Sequence, residues 1–181
     1  MSERFDDVLI LCYGNPGRLD DGLGPAFGEA MAQLSLAGVT VDIDYQLTVE
    51  EAERMAQFKT VIFADASVNS REPFFFRRIE AKPALGFTSH HLDPENLLAL
   101  TQELFHREPE GFALGIRGYD FNEFGETLSA SAQKNLAAAL QFILPVIRAR
   151  NFNNAAAALN PTHYDNPTAC QGGLQCKTEN M

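Results

Sequence analysis

Three groups of side chains in this sequence have the types and positions to do chemistry together. Asp20 and Asp21 lie in the glycine-rich segment Gly14-Asn15-Pro16-Gly17-Arg18-Leu19-Asp20-Asp21-Gly22-Leu23-Gly24. Asp65 ends the apolar run Val61-Ile62-Phe63-Ala64, and His90 stands in the polar stretch Thr88-Ser89-His90-His91. A strand, a glycine-rich turn and a helix make the layout of a nucleotide-binding loop, but two adjacent carboxylates occupy the place of the phosphate. Carboxylates repel phosphate and attract cations, so the loop is suited to a cation. Two carboxylates and an imidazole from loops at one end of a sheet form an open site for a divalent transition metal.

Each residue also has a plainer reading. Asp20 or Asp21 can cap the helix that follows and favour its positive end, and Asp20 is the one assigned that structural role. Asp65 alone reads as a turn or cap residue, and His90 and His91 alone as exposed side chains. Other chemistries lack their residues. The sequence has no His-Glu-x-x-His, no Gly-x-Ser-x-Gly and no Gly-Lys-Ser/Thr after a loop. Cys12 falls in an apolar run, too buried for a nucleophile. Cys170, Cys176 and His163 have a spacing that fits no common zinc knuckle.

The elements that must position these groups follow from the pattern of apolar residues. Val8–Tyr13 reads as a buried parallel strand. Helical spacing follows from Pro25 to Leu36, with Pro25 in the first turn and Gly38 as the stop. Residues 39–45 alternate and predict a strand near a sheet edge. Thr48 and Glu51 form a capping box for a helix reaching Phe58. Residues 60–64 predict a central strand, 73–80 a fourth and 111–117 a fifth. Asp93 and Pro94 start another helix, and Ser129 caps a long one ending near Arg150, with Pro145 bending it. The expected fold is α/β: a single three-layer domain with a mainly parallel, twisted five-stranded sheet and helices on both faces. Residues 1–150 make this domain, and residues 151–181 read as a poorly ordered tail.

Composition narrows the partners. The 181 residues suffice for one α/β domain, and 45% hydrophobic with 21% charged residues is a globular balance. Fourteen basic against 24 acidic residues give a net charge of −10, which disfavours nucleic acid and anionic membrane. The polar start at Met1-Ser2-Glu3 reads as no signal peptide, and no apolar run approaches a membrane span. Three cysteines, one of them buried, make no disulfide framework, so a cytoplasmic setting is expected.

The ordered set Gly14-Asn15, Asp20-Asp21-Gly22-x-Gly24, Phe63-Ala64-Asp65-Ala66 and Ser89-His90-x-Leu92 resembles the hydrogenase maturation endopeptidases. Agreement continues through Leu114-Gly115-Ile116 and Gly125-Glu126-Thr127-Leu128-Ser129, so the resemblance spans residues 6 to 150. It implies a nickel-dependent endopeptidase that removes the C-terminal peptide of a NiFe-hydrogenase large-subunit precursor after nickel insertion. It also implies that Asp21, Asp65 and His90 contact Ni2+ and carry the catalytic role, the ion arriving with the substrate. Two positions depart from the family pattern. The second acid, often Glu, is Asp21, and a Gly-Thr pair after the second strand is replaced by Gln46-Leu47-Thr48. A metal-delivery or chaperone protein docking on the same precursor without cutting it would carry the same residues. A nucleotide-binding protein is disfavoured by the acid pair.

Overall fold

The computed structural model describes residues 7–82 and 92–159. Five strands, β1 (Val8–Tyr13), β2 (Val39–Asp44), β3 (Thr60–Ser67), β4 (Phe74–Ile79) and β5 (Glu110–Arg117), form one sheet in the order β2-β1-β3-β5-β4. All neighbours are parallel except the antiparallel pair β4–β5. The expected α/β sheet is therefore present, with β3 central and β2 at an edge. The helices are α1 (Leu23–Gln33), α2 (Glu51–Met55), α3 (Pro94–Phe105), α4 (Ala130–Ala149) and α5 (Phe152–Leu159).

The alternation of each strand sorts its side chains to two faces. Val8, Ile10 and Cys12 of β1 join Phe27 and Met31 of α1 and Ile143 and Ile147 of α4 in one core. Leu9 and Leu11 join Val61 and Phe63 of β3, Met55 of α2 and Leu97 of α3 in the other. Tyr13 packs against this second core, the side covered by α2 and α3.

Several boundaries differ from the sequence reading. The first helix ends at Gln33, and the turn behind it takes its left-handed residue at Ser35 (φ 46°), while Gly38 (φ 69°) opens β2 instead. The second helix stops at Met55, three residues short of Phe58. Glu51 does reach back to the Thr48 N–H at 2.8 Å, but the Thr48 hydroxyl donates to the same carboxylate oxygen at 2.7 Å rather than capping a backbone N–H. Residues 152–159, read from sequence as the start of a loose tail, form α5. Its Phe152 lies 5.6 Å, ring to ring, from Phe112 of β5, and burial of Phe152 and Ala156 extends the first core beyond residue 150. Cys170, Cys176 and His163 lie outside the described residues, as does the rest of the chain beyond 159.

Candidate active site

The glycine-rich segment leaves β1 and enters a short 3-10 turn over Leu19–Gly22 before α1 begins. Two of its glycines are steric requirements. Gly14 has φ 140°, and a Cβ there would stand 2.2 Å from the Asp21 carbonyl oxygen. A Cβ on Gly24 would stand 2.1 Å from the Tyr13 carbonyl oxygen and 2.9 Å from that of Ala64. Only glycine lets the first turn of α1 touch the ends of β1 and β3, and this contact sets where the two aspartates lie.

Asp20 and Asp21 part company here. Asp20 is fully buried. Its carboxylate accepts hydrogen bonds from the backbone N–H groups of Tyr119 (2.8 Å), Asp120 (3.1 Å) and Ser129 (2.7 Å), and from the Ser129 hydroxyl (2.8 Å). Burial pushes its pKa up, but these hydrogen bonds outweigh burial and hold it below the ordinary carboxylate value. Asp20 is structural, as the sequence reading has it, but by another route. It leaves the N-cap of α1 without a side-chain bond and clamps the loop between β5 and α4. Ser129 in turn caps α4, accepting from the Ala132 N–H at 3.2 Å. Two backbone bonds, Leu19 N–H to Gly125 carbonyl (2.7 Å) and Gly125 N–H to Gly17 carbonyl (2.9 Å), complete the clamp.

Asp21 turns the other way. Its carboxylate accepts the Asn15 N–H at 3.1 Å and lines a cleft of about 460 Å³ at the carboxyl ends of β1 and β3. Asp65 lines the same cleft. β3 runs two residues past Asp65, to Ser67, so Asp65 sits inside the strand, paired with Gly115 of β5, rather than in a following turn. Burial raises the Asp65 carboxyl to about 7; the Ala66 N–H, 2.6 Å from Oδ1, works against this, and the nearby Asp21 charge adds to it.

The two acidic residues therefore share one hollow, Asp21 from the turn after β1 and Asp65 from the adjacent parallel β3, where the strand order makes this edge a switch point. Asp93 adds a third acid to the lining, and no Lys or Arg is among the described residues that line it. Such a wall concentrates negative potential and favours a cation. Among the described residues no group of three or more His, Cys, Asp or Glu is close enough to hold a metal alone. His90 lies outside the described residues. Leu92, two positions beyond it and described, lines the cleft.

Two residues of this site carry no motif signal. Asp93 reads from sequence only as a helix N-cap, though its side chain makes no capping bond. Tyr13 reads only as the end of a buried strand. The available signal was alternation: positions 9, 11 and 13 of β1 and positions 61, 63 and 65 of β3 share a face.

No family model matches the chain, and no curated protein matches it in sequence. Solved structures do. A hydrogenase 2 maturation peptidase from a Thaumarchaeota archaeon aligns with a TM-score of 0.59 and 21% identity, covering 79% of this chain and 99% of that one. The hydrogenase maturating endopeptidase HybD from E. coli gives 0.62 and 22%, covering 81% and 95%. A NiFe-hydrogenase maturation protease, HycI, from Thermococcus kodakarensis gives 0.61 and 19%, covering 78% and 92%. The likeness at these identities is one of architecture: this chain has the fold of the hydrogenase maturation peptidases.

Proposed function

We propose that the chain is an endopeptidase that removes the C-terminal peptide from a nickel-loaded NiFe-hydrogenase large-subunit precursor. The carrying observation is that Asp21 and Asp65, from separate segments, line one anionic cleft on a fold shared with hydrogenase maturation peptidases. In this reading Ni2+ is part of the substrate. The precursor presents the ion, and Asp21, Asp65 and His90 complete its coordination. Held there, the ion would either act as a Lewis acid on the scissile carbonyl or serve only as the handle that fixes the peptide in the cleft. An empty precursor offers nothing to hold, so binding and cleavage fail together. A surface of net charge −10 suits this protein partner better than nucleic acid, and among the described residues no helix is long and apolar enough to cross a membrane. The cytoplasmic setting is part of the proposal.

The test is intact-mass spectrometry of the nickel-loaded precursor after incubation with the protein. The proposal expects a shortened large subunit and a released peptide. An unchanged precursor mass in a stable complex identifies a docking chaperone instead.

A further inference from the structure

We infer that the Tyr13 hydroxyl donates a hydrogen bond to the carbonyl oxygen of the peptide bond that is cut, an inference that rests on the endopeptidase reading. Tyr13 is the last residue of β1, half-buried, on the face covered by α2 and α3. The pairing of Cys12 with Ala64 is the last in the β1–β3 register, and one residue further along each strand stand Tyr13 and Asp65.

Three hollows open along this edge. The central one, holding Asp21 and Asp65, is flanked by one of about 320 Å³ between β2 and α2 and one of about 360 Å³ between β5, β4 and α3. Among the described residues Tyr13 alone lines all three. A peptide with its nickel-bearing part at Asp21 and Asp65 that continues into either flank has Tyr13 beside its path.

The chemistry of Tyr13 suits a donor. Its hydroxyl makes no hydrogen bond to any described residue. A phenol is protonated at neutral pH and can donate its O–H to an acceptor. Together with Tyr45 and Gln46 it is one of the side-chain donors in a cleft whose other described polar side chains are carboxyl groups, and alone among them it also borders both flanking hollows. When water adds to the carbonyl carbon, that oxygen takes the electron pair and becomes an oxyanion, and the Tyr13 bond strengthens as the charge grows. The C–N bond then breaks, the nitrogen ends with both protons of the water, and carboxylate and ammonium leave. Tyr13 ends the cycle as it began.

The experiment is the variant Tyr13→Phe, which removes one oxygen and keeps the ring. Rates are measured on nickel-loaded precursor over a range of concentrations, at a temperature where melting curves show both proteins folded. The expected result is a kcat lower by about 10²-fold, the usual loss for one oxyanion donor, with KM within about twofold. A kcat equal to wild type overturns the inference, whatever happens to KM. Failure of the wild-type protein to cut at all overturns the endopeptidase reading itself, and this inference falls with it.

Discussion

Ser129 and Asp20, 109 positions apart in sequence, meet through two hydrogen bonds, from the Ser129 N–H at 2.7 Å and from its hydroxyl at 2.8 Å. The same serine that starts α4 thus anchors the loop carrying Asp21. Two neighbouring aspartates consequently have opposite roles: one holds the loop from inside, and the other faces the cleft.

The clamp predicts a stability defect. Asp20→Ala leaves three backbone N–H groups and a hydroxyl without their acceptor, and its expected cost is about 2–4 kcal/mol in urea unfolding. Because the folded pKa of Asp20 is depressed, its contribution is complete above the ordinary carboxylate pKa and is lost as pH falls through the lower folded value. Wild type should therefore lose stability in acid more steeply than Asp20→Ala. Parallel acid-unfolding curves for the two proteins would count against the clamp.

Asp65 gives the opposite sign. With a folded pKa raised from 3.8 to about 7, the folded state holds a proton that the unfolded state has lost. Metal-free wild-type protein should lose stability between about pH 4 and pH 7 and level off above, on top of any slope from other groups. Asp65→Asn removes that slope. Carboxyl NMR should also find that Asp21→Asn lowers the Asp65 midpoint, since the Asp21 charge helps raise it. A wild-type Asp65 titrating near 4 contradicts the prediction.

Gly24→Ala tests the contact between α1 and the strand ends. The added methyl meets two backbone carbonyl oxygens, which have no rotamer by which to yield. A cost of about 3 kcal/mol is expected, with loss of processing because the helix must shift away from Tyr13 and Ala64. Unchanged denaturation midpoints would show that the helix start moves freely.

Phe152→Ala tests whether α5 belongs to the folded unit. Phe152 is 4% exposed and packs on Phe112, so truncation to alanine should cost about 3 kcal/mol. A chain ended at residue 150 should be destabilised to a similar degree. Retention of full stability by either variant would make α5 an accessory.

Much of this was legible beforehand because local pattern and global fold agree. The six-residue run Val8–Tyr13, the alternation of 39–45 and the Asp93-Pro94 helix start each point to one element, and the fold contains all three, β1, β2 and α3. The paired acids and Asp65 point by charge to one shared acidic site, and the structure brings Asp21 and Asp65 to one cleft. What escaped depends on distant contacts. Nothing local to Asp20 indicates that its partners lie at 119–129. Ala155-Ala156-Ala157-Ala158, between asparagines and Asn160-Pro161, looked like a fading tail, and only the docking of Phe152 on β5 explains a helix there. Tyr13 looked like one more core residue because its role comes from the strand beside it.

The central claim is that Asp21 and Asp65 together grip an ion that the substrate brings. Its most direct test is the intact mass of nickel-loaded large-subunit precursor after incubation with wild type, Asp21→Asn and Asp65→Asn, each confirmed folded. The account predicts a shortened product with wild type only, and none from precursor lacking nickel. Normal shortening by the Asp21→Asn protein would contradict it.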